Sequence, residues 1–440
     1  MARAARRFVR LAASSVEGTT LRLVSYNILA DALCMTEKHS YCCTTDREWG
    51  NALSGRCSRL IGEIRSYDAD VVCLQEVSLR CFQTFSDAFT EFTGFHHATF
   101  LSAEDAAAAR ESVTGLAVFV RSSKWKPRAA KAHRFGALDG ARQHTGRLRQ
   151  KLLALSDAIL LLRLESVICG TVVVLGSTHL HWDPHWPQLK VVQAHLAVHA
   201  LRQFSESGAA HNNSDGRSGG QAPVVVLAGD FNSVPHLQPA FLPEAQRASL
   251  PDPLPVTWQP SALYSLLACG HVPADHPEHP TQFGMSPTEL PQVAVELAEV
   301  DVAAAPVESM SASARPRKKA RIAKGAAPPP VGELTCPLAL RNTHADALCA
   351  GPLPLTTHAD DFSGCLDYVW AGGLAEVEAV PTVDVLEVLE MPYNLNDSAS
   401  FGPIPSADWP SDHLALGVTL GVGAKRDTKC SPAGSAPACD

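Results

Sequence analysis

Short apolar runs that stop abruptly at polar residues recur along the chain, and they set the elements it predicts. Val224-Val225-Val226-Leu227-Ala228 runs into Gly229-Asp230-Phe231-Asn232-Ser233, as a buried strand does when it delivers polar side chains to its C-terminal mouth. Residues i and i+2 of a strand point the same way, so Asp230 and Asn232 are expected side by side. A strand ending in an Asx turn is the plain alternative. Residues 21–28 form a second such run ending at Asn27, and residues 69–74 a third with Glu76 just beyond it. Strands are also predicted over 115–121, 158–164 and 171–178, the last delivering His179.

Between these runs the apolar period changes to that of helices. Leu60, Ile61 and Ile64 share a face over 55–66, residues 79–92 read as a helix, and Leu189, Val192, Leu196, Ala200 and Phe204 mark another. The chain is therefore α/β.

The polar residues at the strand ends suit phosphate ester chemistry. A carboxylate such as Asp230 can orient or deprotonate a water, while an amide such as Asn232 donates to a phosphoryl oxygen without adding negative charge. Glu76 offers the oxygen a hard divalent cation prefers. His179 and His181 could instead be zinc ligands, but no third nitrogen or sulfur follows at a suitable spacing.

Five stretches carry these residues in order: Ser25-Tyr26-Asn27-Ile28-Leu29, Leu74-Gln75-Glu76-Val77, Ser177-Thr178-His179-Leu180-His181-Trp182-Asp183-Pro184, Gly229-Asp230-Phe231-Asn232-Ser233, and Leu366-Asp367-Tyr368-Val369 with Pro410-Ser411-Asp412-His413. Together they resemble the endonuclease/exonuclease/phosphatase superfamily, and within it the deadenylase branch of nocturnin, the Angel proteins and the 2'-phosphodiesterases. The resemblance implies a DNase I-like sandwich of two mixed sheets flanked by helices. It implies Mg²⁺, replaceable by Mn²⁺, held by Glu76 with Asn27 and Asp412 nearby. Asp230 and Asn232 would align a water, His179 would touch the scissile phosphate, and Asp367 would orient His413. Pro184 would shape the loop beneath the substrate, Phe362 would stack on a terminal adenine, and Thr357 would stand where relatives place a base-reading Asn. Trp182 is expected to be a packing residue. The implied activity is a 3'-5' exoribonuclease on the poly(A) ends of single-stranded RNA. Alternatives are a nucleotide phosphatase, a 2',5'-phosphodiesterase, or an idle module that binds RNA or a translation factor.

Charge changes this picture little. A net charge of -8 argues against indiscriminate nucleic-acid coating, so a polyanionic substrate needs a local basic patch; residues 121–151 are one candidate and a solvated loop is the other. Thirteen cysteines without disulfide-like spacing point to a reducing compartment. No run is long enough to span a bilayer. An intracellular location is expected, nuclear, cytoplasmic or mitochondrial.

Residues 1–20 form a basic segment in which Arg3, Arg6, Arg7 and Arg10 share one helical arc, as in a transit peptide; a disordered basic tail is the alternative. The catalytic domain is expected over 21–420, with disordered insertions near 205–221 and 284–332 and a disordered tail over 421–440. The second insertion carries the basic cluster Arg315-Pro316-Arg317-Lys318-Lys319-Ala320-Arg321, a candidate nuclear signal or RNA-touching arm. No leucine-rich-repeat docking segment is expected ahead of the nuclease, and protein partners stay unknown.

Overall fold

The computed structural model describes residues 6–11, 19–98, 114–144, 146–212, 222–238, 240, 259–282, 300–301, 332–347, 353–375, 383–393 and 401–422. The expectations for 213–221, most of 284–332 with its basic cluster, and 423–440 lie outside them.

In chain order the strands are β1 (Phe8–Arg10), β2 (Thr19–Asn27), β3 (Val71–Gln75), β4 (Phe92–Ala98), β5 (Gly115–Arg121), β6 (Trp125–Arg134), β7 (Ala158–Ser166), β8 (Val172–His179), β9 (Val224–Asp230), β10 (His271–Val272), β11 (Val300–Asp301), β12 (Leu334–Thr335), β13 (Leu338–Asn342), β14 (Thr357–His358), β15 (Ser363–Gly364), β16 (Asp367–Leu374), β17 (Val383–Leu389) and β18 (Leu416–Val422). Two seven-stranded mixed sheets result, β1-β17-β18-β2-β3-β5-β4 and β11-β6-β7-β8-β9-β16-β13. The expected two-sheet sandwich is the fold.

The sheets pack face to face. Leu21, Leu23, Val71, Val118 and Val418 of the first meet Leu160, Leu162, Val173, Val226 and Val369 of the second. The opposite face of the first sheet is covered by helices Gly55–Ser66 and Leu79–Ala88, through Leu60, Ile64 and Phe85. Helices Pro187–Asn212 and Ala262–Ala268 cover the second through Leu189, Val192, Leu196 and Leu266.

Strand parity then positions the polar residues. On β9, Val224, Val226 and Ala228 face the inter-sheet core, so Asp230, two residues on, continues that face at its end. The same parity carries Leu21 and Leu23 to Asn27, Val173 and Leu175 to His179, and Val369 back to Asp367. In register, Asp230 pairs with His179 on one side and Asp367 on the other, and Asn27 pairs with Gln75. Four strands thus end their inward faces at one edge of the seam.

Several expectations change. Residues 8–10 are an edge strand paired with β17 rather than part of a basic helix, and Arg6 is buried, donating to the carbonyls of Glu390 (2.7 Å) and Ala415 (2.9 Å). The helix from residue 79 stops at Ala88, and Phe92 opens a strand. The basic stretch 121–151 is no loop: it builds β6 and the helix Gly146–Ala154. The first insertion starts later than 205, because helix Pro187–Asn212 runs through it. Within the second, Val300–Asp301 pairs with β6.

Candidate active site

Asp230 is the hub of the site and is almost wholly buried. Its Oδ2 accepts from Nδ2 of Asn27 at 3.0 Å and lies 3.5 Å from Nε2 of His179 and 3.7 Å from Nε2 of His413. Its Oδ1 accepts from the Asn232 backbone N–H at 2.8 Å. That last bond is an Asx turn, made possible by the left-handed backbone of Asn232 (φ 49°). The Asx turn read from the sequence as the plain alternative is thus present at Asn232. Its amide donates to the Leu180 carbonyl at 2.9 Å, which ties the β9 mouth to the loop after His179.

His413 Nδ1 lies 2.8 Å from Oδ2 of Asp367. Burial disfavours the imidazolium, yet the Asp367, Asp230 and Asp412 carboxylates outweigh it and raise His413 well above its ordinary value. Asp230, Asp367 and His413 have ligand atoms within 4.8 Å of one another. Because the His413–Asp367 contact is already made, this trio is suited to handling protons and charge rather than to wrapping an ion.

Glu76 approaches from the first sheet. It follows the last residue of β3 with a left-handed backbone (φ 61°), which turns its carboxylate off the strand. Oε2 accepts from the Ala30 N–H (2.7 Å) and Oε1 from Asn27 Nδ2 (3.1 Å). Asn27 Oδ1 is taken by the Leu29 N–H at 3.0 Å, so its amino group faces the carboxylates. Asn27 thus clamps Glu76 to Asp230 through its amino group, while its oxygen accepts from the Leu29 N–H and keeps a second lone pair. Among the described residues no Lys or Arg pairs with Glu76. A carboxylate held without a Lys or Arg partner fits a hard divalent cation.

Asp412 is buried, with Oδ2 3.8 Å from Nε2 of His39. Burial holds His39 below its ordinary value, against the pull of Asp412 and Glu76. Ser411 Oγ donates to the Asn27 carbonyl at 2.7 Å, joining this loop to the β2 mouth.

The expected base-binding residues are less well placed. Thr357 is buried and its hydroxyl donates to the Asp412 carbonyl at 2.8 Å, so it is not free to meet a base, contrary to expectation. Phe362 is half-buried against Gly364 and Val234. Trp182 is 71 % exposed, which corrects the packing role. His181 is buried beside Asp157 (3.7 Å) while His179 faces Asp230, so the two histidines do not share a site.

Two buried basic side chains that brace the site were not anticipated from the sequence. Arg56 is fully buried; its guanidinium donates to the carbonyls of Ile28 (2.6 Å), Leu29 (2.7 Å) and Pro410 (3.0 Å) and lies 5.2 Å from the Trp49 ring. It cross-links the Asn27 loop to the Asp412–His413 loop. Lys190 is also buried and donates to the Asn232 carbonyl at 2.6 Å. The signal was present in both: Arg56 sits four and eight residues before Leu60 and Ile64, on an apolar helical stripe, and Lys190 lies between Leu189 and Val191.

A two-sheet sandwich with strand-end carboxylates, amides and histidines at one edge of its seam is the DNase I-like architecture. The chain belongs to the Endonuclease/Exonuclease/phosphatase family, whose model matches residues 24–413. Similar curated proteins are the CCR4-Not complex 3'-5'-exoribonuclease subunits Ccr4 of Yarrowia lipolytica and Saccharomyces cerevisiae. The first is 28% identical over 49% of this chain and 32% of its own length. The second is 22% identical over 92% of this chain and 39% of its own. The chain thus spans well under half of either. Among solved structures, ANGEL2, a 2',3'-cyclic phosphatase, superposes with a TM-score of 0.60 at 18% identity, over 95% of this chain and 98% of that one. No helix among the described residues is long and apolar enough to cross a membrane.

Proposed function

We propose that the protein is a metal-dependent 3'-5' exoribonuclease acting on single-stranded RNA, with poly(A) ends as the favoured substrate. The observation that carries this is Asp230 held among Asn27, His179 and His413, with Glu76 clamped beside it through the same Asn27 amide. Such a set can hold a phosphodiester, aim a water and manage the leaving proton.

Glu76 is the residue that would hold Mg²⁺ or Mn²⁺, with Asp412 nearby. The ion would supply neutralisation of charge developing on the phosphate. Asp230 accepts a hydrogen bond from the attacking water and aligns it. His413, kept cationic by Asp367, donates to a phosphoryl oxygen, and His179, the most open of the group at 24% side-chain exposure, meets the substrate from the β8 side. Asn232 holds the floor in place through its bonds to Asp230 and Leu180. Pro184 lines the notch beside Asn232, and Phe362 would offer an aromatic face that can stack on any base.

A small-nucleotide phosphatase is the second reading, favoured by the internal bond of Thr357: without its hydroxyl, nothing expected from the sequence reads an adenine edge. Purified protein should be assayed with Mg²⁺ on 5'-labelled oligo(A), mixed-sequence RNA, 2'-5' oligoadenylate and NADPH. Single-nucleotide ladders from oligo(A) support the exoribonuclease. Phosphate release from NADPH with intact RNA supports the second reading.

A further inference from the structure

Beside Asn232 a small open notch of about 20 Å³ has room for one water-sized group. Pro184, Asn232, Ser233 and Ser261 are among its walls, and Lys190 and Glu278 line it as well. Both charged residues are almost fully buried, at 4% and 5% exposure. The active-site chemistry described above uses neither.

Burying two ionisable groups is costly unless each is satisfied. Lys190 spends one N–H on the Asn232 carbonyl. Glu278 Oε2 accepts from the Ala262 N–H at 2.8 Å, capping helix Ala262–Ala268. Among the described residues Oε1 has no partner, Lys190 has no other acceptor, and the two heads are not in ion-pair contact. A donor and an acceptor therefore share one small polar space.

With Glu278 ionised, a group bridging them accepts from Lys190 and donates to Glu278. A phosphate oxygen can only accept, and an exocyclic amine serves mainly as a donor. A hydroxyl does both, and the ribose 2'-OH is the hydroxyl an RNA strand brings beside each phosphate. Resting on the RNA reading above, we propose that the Lys190–Glu278 notch is a ribose 2'-hydroxyl subsite that makes the enzyme prefer RNA over DNA. Glu278 is its specificity-determining residue, and Lys190 links the subsite to the Asp230–Asn232 turn. Burial raises Glu278 to about 7 and lowers Lys190 to about 8.

The test is a substitution scan of an oligo(A) substrate, replacing one ribose at a time near the 3' end by 2'-deoxy or by 2'-fluoro, which cannot donate. At one position both replacements should lower kcat/KM about tenfold, the scale of one lost hydrogen bond. Glu278→Gln keeps an oxygen for the Ala262 N–H, and it should shrink that penalty to less than threefold. Equal turnover at every position means the notch holds only water and overturns the subsite. An unchanged penalty in Glu278→Gln overturns it too. Should Glu278→Gln fail to fold, the wild-type scan decides alone. If the all-RNA oligomer is not cleaved at all, the exoribonuclease reading fails instead.

Discussion

Nδ1 of His413 lies 2.8 Å from Oδ2 of Asp367, at the inner end of β16 and one strand away from Asp230. The carboxylate fixes the ring's orientation and favours its cation. Asp367→Asn should therefore lower kcat at least ~10²-fold, the lower end for a positioned acid or base. His413→Ala should cost as much, and the double variant little more, because the two act as a unit. Steady-state kinetics of the three variants check this; additive losses would separate their roles.

Glu76 is half-buried at a strand mouth, so Glu76→Ala should fold normally while losing divalent-ion binding. Calorimetric Mn²⁺ titration should show at least a tenfold weaker site, and activity should fall to background. Mg²⁺-dependent turnover within threefold of wild type would contradict the assignment.

Arg56 secures both loops that frame this carboxylate, through Ile28, Leu29 and Pro410. A lysine keeps the charge but lacks the planar fork that serves several acceptors at once. Arg56→Lys should lower the melting temperature by several degrees and weaken Mn²⁺ binding. Loss of stability with undiminished ion affinity would show that Arg56 supports the fold alone.

Much of this was legible in the sequence because strand parity and strand-end polarity are local properties. The strand ends at Asn27, His179 and Asp230 could be read from the apolar runs, whereas Asp367 was reached through the family resemblance. What local pattern cannot show is which atom of a side chain is taken by a neighbour. The Asn27 oxygen accepts from the Leu29 N–H, and the Thr357 hydroxyl donates to the Asp412 carbonyl, and neither bond leaves a trace in spacing. β6 was hidden by its five basic residues, which read as a solvated loop although Trp125 anchors the strand in the core. Phe8–Arg10 was misread because its strand pairing partner lies in distant β17.

Stability should depend on pH through buried and half-buried neutral histidines. Burial lowers His195 to about 3 and His97, His144 and His344 to about 4. A depressed imidazole binds its proton less readily in the folded chain than in the unfolded one. Stability is therefore lost as pH falls from about 6.5 toward 4, by up to ~1.4 kcal/mol per unit for each such group. Thermal melts between pH 7 and 4.5 should show a steep decline, made shallower by His195→Gln. A flat profile would contradict the buried neutral state.

The central claim is that Asp230 and a divalent ion together drive RNA hydrolysis. Cleavage of 5'-labelled oligo(A) should be followed for wild type and Asp230→Asn, each with Mg²⁺ and with EDTA. Wild type with Mg²⁺ should yield a ladder of single-nucleotide steps. EDTA should abolish it, and Asp230→Asn should slow it at least ~10²-fold, as loss of a positioned catalytic carboxylate does. Cleavage that persists in EDTA, or proceeds at wild-type rate in a folded Asp230→Asn protein, would contradict the account.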